Sequence, residues 1–467
     1  MRWVFWVLAF LLPHSLFAQV EPSASTRATQ LEKGKILPRV QCAAHPDQTY
    51  ALYLPSNYSP DHQWPFILSS DPGARGSVPL ELQKDVAEKM GYVLAASNNS
   101  RNGPGKARFE ATAATLTDVQ QRVAIDTRRI YFAGFSGGAR FSSQVALACN
   151  CAAGVLLSGA GFSNGQPPAT GTNFPVFLAV GILDFNYSEV VPLQGGLVRA
   201  GFPNWLRVFD GSHEWAPAGV MAEALAWFRI EAMKAGSEPR DPAFLDAEFA
   251  KMQAGANSFE QSEDILWAFR EYSQIASTFA GLKDIEPLRA KAAALNDQKA
   301  LNEALKREHN EFAEQAQLTE RITSRFDPSK EDADRHFEAN SGVHDLVTRL
   351  RTNAQQEKRP EKCRVYKRAL GGVFIGAIEA GNGALEQKRY APAIRLYEIA
   401  TLAKPDSAWA WEQLAIANAL AGKKKDALNA LRKARDLATD KAAFGKWLQS
   451  ESSFEILRSS AEFRSLL

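Results

Sequence analysis

Three residues in the first half of the chain, Ser136, Asp184 and His213, have the types and order that acyl transfer requires. Ser136 lies in Gly134-Phe135-Ser136-Gly137-Gly138, directly after the apolar run Ile130–Ala133. In Gly-x-Ser-x-Gly the serine occupies a strained strand-to-helix turn that exposes its hydroxyl. Glycine on either side removes the Cβ atoms that would collide there. The bare pattern is weak evidence in a chain with 31 glycines. Its context is stronger, because a β-rich run precedes it and the breaker-free stretch Phe141–Ala148 follows, giving strand, elbow and helix in order. A serine hydroxyl is a poor nucleophile unless a base takes its proton, and the base needs a carboxylate to fix its tautomer and offset its charge. Between Ser136 and Pro242 the sequence has one histidine, His213, in Phe209-Asp210-Gly211-Ser212-His213-Glu214-Trp215. Asp184 ends the apolar run Val176–Val180 and its short extension. Asp210 is the rival acid, badly placed three residues before His213 on the same loop.

Acyl transfer also needs donors for the oxyanion. The N–H of Gly137 supplies one. The second is expected from Ser70-Asp71-Pro72-Gly73-Ala74-Arg75-Gly76, where Pro72 has no N–H, so Gly73, Ala74 or Arg75 donates. Phe135, Arg75, Phe185 and Trp215 are the expected substrate-binding side chains. Arg75 either meets an acidic substrate group or is a solvated loop residue.

These residues need a scaffold of alternating elements. Apolar or β-branched runs at Thr49–Leu54, Pro65–Ser69, Tyr92–Ser97, Ile130–Ala133, Val155–Ser158, Val176–Val180 and Leu206–Phe209 read as strands. Helical stretches lie at Leu80–Lys89, Ala107–Val123, Phe141–Ala148, Pro192–Ala200 and Ala216–Met233. A three-layer α/β arrangement follows, with a mostly parallel sheet covered on both faces.

With Tyr50-Ala51-Leu52-Tyr53-Leu54-Pro55-Ser56-Asn57-Tyr58 as opening strand and turn, and Gly134–Gly138 as elbow, residues 40–233 resemble the α/β-hydrolase superfamily. Within it they resemble the secreted esterases related to polyhydroxybutyrate depolymerases, feruloyl esterases and carboxylesterases. The resemblance implies a carboxylic-ester or related acyl hydrolase that needs no metal or cofactor. Two features depart from it: Ser70-Asp71-Pro72 stands where many relatives carry His-Gly, and no large lid insertion precedes the acid. The second implies an open site.

At 467 residues the chain is long enough for two or three domains. A net charge of +2, with 23% charged residues and no basic stripe, points away from nucleic acid as a partner. Met1-Arg2, the apolar run to Leu12 and the small residue Ala18 form a secretory signal peptide over 1–18, implying a secreted or periplasmic enzyme. No later run is long and apolar enough to span a membrane. Export permits disulfides, and a bridge from Cys42 to Cys149 or Cys151 is expected, rather than a metal site at Cys149-Asn150-Cys151.

Residues 35–235 are thus expected to form the hydrolase domain and 236–242, Gly-Ser-Glu-Pro-Arg-Asp-Pro, a linker. Strand patterns end there. Residues 243–370 read as helical, with breaks near Gly281, Phe326-Asp327-Pro328 and Lys358-Arg359-Pro360, and with His309, His336 and His344 as surface or capping residues. Residues 371–440 match the tetratricopeptide pattern. Trp411, Leu414, Ala415, Asn418, Gly422, Ala427, Leu431 and Ala434 carry one copy, and Gly381, Ala393, Tyr397 and Ala400 another, one repeat length upstream. Residues 441–467 would cap the array.

The function this implies is an exported serine esterase acting on a small or polymeric ester, with a protein partner possible at the repeats. Alternatives are a non-catalytic scaffold acting through its repeats, or a peptidase using the same three residues.

Overall fold

The structure is a computed structural model and describes residues 31–167, 173–326 and 341–467. The expected signal peptide and its cleavage point, His336, and the break at Asp327-Pro328 lie outside these residues. Among the described residues no helix is long and apolar enough to cross a membrane.

Eight strands form one sheet: β1 (Ile36–Gln41), β2 (Thr49–Tyr53), β3 (Trp64–Ser70), β4 (Val93–Ser97), β5 (Ile125–Phe135), β6 (Ala152–Ser158), β7 (Val176–Gly181) and β8 (Asn204–Phe209). Their order is β1-β2-β4-β3-β5-β6-β7-β8. The β1–β2 and β2–β4 pairs are antiparallel, and every pair from β4–β3 to β7–β8 is parallel. This is a three-layer α/β arrangement with a mostly parallel sheet, followed by a largely helical C-terminal region. Strand β1 is an addition to the seven the sequence suggests. Pro38 interrupts its pattern, and such a strand is tolerated only at a sheet edge, where the register indeed slips between Leu37 and Val40.

Side-chain alternation along the strands divides the interior in two. Tyr131, Ala133 and Phe135 of β5 join one core with α1 (Ser77–Met90) and α5 (Ala218–Ala235). Ile130 and Phe132 face the other, with α2 (Gly105–Arg122), α3 (Gly137–Cys149) and α4 (Tyr187–Arg199). Helix α4 starts five residues before Pro192, where a proline-led start was expected. Burial of Tyr187, Val190 and Val191 outweighs the N–H lost inside the helix.

The expected bridge from Cys42 does not form. Cys149 pairs with Cys151, and Cys42 is a free buried thiol. Burial, with the neighbouring Asp118 charge, pushes the Cys42 thiol up to about 11, which keeps it protonated and unreactive at neutral pH.

After α5, Gly236 ends the helix in the left-handed conformation. Asp241 then caps α6 (Pro242–Gln261) through the Phe244 N–H. The core nevertheless continues across this turn. Helix α5 is buried along most of its length, with α6 and α7 (Ile265–Thr278) against it, and α8 (Glu286–Asn296) joins the same core. Tyr272, Ile275, Phe279 and Leu288 belong to the same cluster as Tyr131 and Phe228. The Trp227 indole N–H donates to Thr278 Oγ1 at 3.0 Å. On the last strand, the Leu206 N–H donates to Gln274 Oε1 at 2.5 Å, so α7 occupies part of an otherwise open sheet edge.

Helices α9 (Lys299–Thr323), α10 (Ser341–Gln356), α11 (Pro360–Glu386), α12 (Tyr390–Ala403), α13 (Ala408–Leu420), α14 (Lys424–Leu437), α15 (Lys441–Ser450) and the short α16 (Ala461–Arg464) complete the chain. A third core joins α10 through α16. The residues singled out by the repeat pattern meet there in two hairpins, α11/α12 and α13/α14. Ala393, Tyr397, Ala400, Ala415, Ala427, Leu431 and Ala434 are fully buried, and a Cβ at Gly381 would lie 2.7 Å from the Tyr397 ring. His309 and His344 are exposed.

A chain ending at Ala235 would expose the outer face of α5 and the β8 edge. It is expected to aggregate or lose cooperative unfolding, read by size-exclusion chromatography and circular dichroism. In the full chain, Phe279→Ala should cost about 3–5 kcal/mol in denaturant unfolding. A soluble, cooperatively folded 31–235 fragment would contradict the shared core.

Candidate active site

The elbow is built by backbone crowding. Ser136 has φ 53° and ψ −122°, a conformation side-chain-bearing residues rarely adopt. A Cβ at Gly134 would lie 2.2 Å from the Gly138 carbonyl oxygen, and one at Gly138 would lie 2.0 Å from the Ser70 carbonyl oxygen. Both flanking positions therefore exclude side chains, which holds α3 close against the ends of β3 and β5. The Ser136 N–H donates to the Ser158 carbonyl of β6 at 2.8 Å, fixing the turn from its other side.

The other two residues arrive on adjacent loops that extend the β7–β8 pairing. The Ile182 N–H donates to the Phe209 carbonyl at 2.8 Å and the Leu183 N–H to the Gly211 carbonyl at 2.9 Å. This joins the Asp184 and His213 loops. His213 Nδ1 lies 2.9 Å from each Asp184 carboxylate oxygen, and its Nε2 lies 2.8 Å from Ser136 Oγ. With the proton on Nδ1, His213 donates to Asp184 and accepts from Ser136. Asp210 is exposed at the end of β8, and the carboxylate beside the ring is that of Asp184.

Asp184 has no exposed surface. Burial pushes its carboxyl above the ordinary value, opposed by His213 and by the Asn186 N–H, which donates to Oδ1 at 2.8 Å. Asn186 is itself tied to the Gly159 carbonyl by its Nδ2 at 2.7 Å. Ser136 and His213 keep some exposure, so the reacting atoms are reachable.

The aromatic residues expected to bind substrate lie around the imidazole. Phe135 and Phe185 have ring centroids 4.7 and 4.3 Å from that of His213. Phe135 and Trp215 are buried behind it rather than presented at the mouth, whereas Phe185 is partly exposed.

The Ser70–Gly76 loop departs from the expected donor arrangement. The Gly73 and Arg75 N–H groups donate to Asp71 Oδ1 at 2.8 and 3.3 Å, and the Ala74 N–H to the Asp71 carbonyl at 2.9 Å. All three candidate second donors are thus engaged within their own loop. The Arg75 guanidinium grips the Asp71 carboxylate at 2.9 Å through both Nε and Nη2. Burial opposes the Asp71 charge, but Arg75 and the Trp215 indole N–H outweigh it and hold the carboxyl below the usual range.

A residue not anticipated from sequence lies over the elbow. A Cβ built on Gly137 would come within 2.2 Å of Asn102 Nδ2. The Asn102 backbone is held by its N–H to the Pro72 carbonyl at 2.9 Å, and its carboxamide makes no hydrogen bond among the described residues. Arg108 lies beside it. Its Nη2 donates to the Gly137 carbonyl at 3.0 Å, and its guanidinium stacks 4.1 Å from the Phe141 ring centroid.

The helical region forms one wall. Along α11, Arg368 donates to the Ile182 carbonyl, Gly371 packs against Phe185, and Glu379 feels the charge of Arg140 on α3. The open mouth inferred from the missing lid insertion is bounded on this side by helices from the far end of the chain.

No protein-family model matches the chain, and no curated protein matches its sequence. Solved structures similar in fold include S-formylglutathione hydrolase from Staphylococcus aureus, at 14% identity and TM-score 0.34, covering 39% of this chain and 90% of that one. Others are a ferulic acid esterase, at 15% identity and TM-score 0.33, covering 39% and 91%, and esterase B from Lactobacillus rhamnosis, at 12% identity and TM-score 0.37, covering 46% and 94%.

The raised Asp184 carboxyl has a thermodynamic signature. The folded chain binds that proton more readily than the unfolded chain does, so this group lowers stability as pH rises from the unfolded carboxyl range, about 3.9, through the higher folded value. Asp184→Asn lacks the term. Its stability relative to the parent should rise with pH across that window and then level off, in thermal unfolding between acid and neutral pH. A difference independent of pH would contradict the assignment.

Proposed function

We propose that the chain is an exported serine hydrolase that cleaves carboxylic esters through an acyl-enzyme intermediate. The observation that carries this reading is the chain of contacts from Ser136 Oγ to His213 Nε2, at 2.8 Å, and from Nδ1 to the buried Asp184 carboxylate, at 2.9 Å, on a strained strand-to-helix turn. His213 takes the Ser136 proton as Oγ attacks the ester carbonyl carbon. The resulting imidazolium is stabilised by Asp184. Collapse of the tetrahedral adduct expels the alcohol, which takes the proton from Nε2. Water, deprotonated by the same nitrogen, then releases the acid and regenerates Ser136.

The Gly137 N–H and the Asn102 carboxamide are the oxyanion donors in this reading. It is supported by the position of Asn102 over Gly137 and by the engagement of Gly73, Ala74 and Arg75 with Asp71. Arg108, held on the Gly137 carbonyl, adds positive potential beside the same point. The partly exposed Ser136 and His213 suit a small or polymeric ester that approaches from solvent. The sequence of residues 1–18 supports export, and the hairpins α11/α12 and α13/α14 support a repeat surface able to receive a protein partner.

The test uses the chain beginning at Gln19 with short and medium p-nitrophenyl acyl esters and matched peptide anilides. Ester turnover is expected, and Ser136→Ala should lower kcat by at least about 10⁴-fold. Equal turnover by both proteins, or none by either, would end the hydrolase reading. Preference for anilides would make the enzyme a peptidase. Asn102→Ala is expected to lower kcat by about 10²–10³-fold with little change in KM. Parental kcat in that variant would place the second donor elsewhere.

A further inference from the structure

The acid at the end of β7 is held from two sides by helices more than a hundred residues further along the chain. Arg368, in the middle of α11, is almost wholly buried at 1% exposure, an unusual place for a guanidinium. Its Nε donates to the Ile182 carbonyl at 2.7 Å, its plane covers the Tyr187 ring at 3.6 Å, and its Nη1 reaches Glu311 Oε2 only at 3.4 Å. Gln315 of α9, also buried, donates from Nε2 to the Phe185 carbonyl at 2.7 Å. Ile182 and Phe185 bracket Asp184 in sequence, so the two carbonyls gripped by the helices flank the acid. Phe185 also transmits a packing constraint, since its ring lies against His213 while its Cβ would be 3.2 Å from a Cβ placed on Gly371.

A carbonyl inside a loop could be satisfied by water at no structural cost. Using a buried arginine instead removes a charged group from solvent, a cost offset here by the Ile182 carbonyl, the Tyr187 ring and a long ion pair to Glu311. The nearest acid is too distant for a short ion pair. What the arginine does fix is the backbone two residues before Asp184.

We propose that Arg368 and Gln315 are positioning residues for the Asp184–His213 pair, so that α9 and α11 are part of the catalytic apparatus and not only a docking surface. This rests on the serine-hydrolase reading for its kinetic consequence. It rests on geometry alone for its structural one. Displacement of the Asp184 loop lengthens the carboxylate contact to Nδ1, which weakens the hydrogen bond and the electrostatic support of the imidazolium.

The test compares the full chain from Gln19 with Gln315→Ala, Arg368→Ala and Arg368→Lys. Thermal unfolding verifies the fold of each. Two measurements follow: kcat and KM on the best p-nitrophenyl ester, and the far-downfield proton resonance of the His213 Nδ1–H. Folded Gln315→Ala and Arg368→Ala are expected to lose about 10–10²-fold in kcat with KM nearly unchanged. Their downfield resonance should weaken. Arg368→Lys, retaining one donor, should recover part of each effect. If Arg368→Ala does not fold, Gln315→Ala decides the matter. A folded variant with parental kcat and resonance overturns the proposal. If no ester is turned over by the parent, the hydrolase reading fails separately, and the resonance still decides whether the helices hold the pair.

Discussion

A carboxylate with no exposed surface is costly unless charge and hydrogen bonds compensate it, and the surroundings of Asp184 are organised around that requirement. The imidazole of His213 lies equidistant from both carboxylate oxygens and the Asn186 N–H meets one of them. Each compensating group needs its own support. The imidazole is held beside the acid by the backbone bonds that join the β7 and β8 loops, and the Asn186 side chain is tied to the Gly159 carbonyl just after β6. Burial strengthens the interaction with His213 and also demands that the loop not move. That demand links the sheet to the helices behind it.

The parallel half of the sheet explains why these groups converge. Strands β5, β7 and β8 run in the same direction, so their carboxyl ends, and the loops carrying Ser136, Asp184 and His213, lie along one rim. The strained serine is held there by crowding against backbone, a constraint independent of any flexible side chain. The helices α6–α8 complete a core that the sheet and α5 leave half covered, and α9 and α11 reach round to the acid loop. A tail that reads in sequence as a separate module is physically continuous with the sheet that positions Ser136, Asp184 and His213.

The contrast between what sequence conveyed and what it hid follows from the range of the interactions involved. Ser136, Asp184 and His213 were legible because an elbow has a local glycine signature and the fold imposes an order on the residues that follow it. The strands of the parallel sheet were legible because doubly buried strands are continuous apolar runs. Strand β1 was hidden by Pro38, and the start of α4 by Pro192, two residues whose local preference yields to edge position and to packing. Nothing in Arg101-Asn102-Gly103 marks the exposed Asn102 amide as one that overlies the elbow. Arg368 reads as a surface charge on an amphipathic helix, because burial of a guanidinium depends on a carbonyl 186 residues away. The same limit applies to the loop after β3, which looked like a source of free N–H groups until the fold showed Asp71 accepting them.

The central claim is that Ser136 is a nucleophile activated by His213 and Asp184, and covalent trapping tests it most directly. The full chain from Gln19 would be incubated with a fluorophosphonate, followed by intact-mass measurement and peptide mapping. The account predicts a single adduct on Ser136, formed at a rate that falls steeply in His213→Ala and absent in Ser136→Ala. No adduct on the folded parent, or an adduct that persists at another residue when Ser136 is replaced, would contradict it.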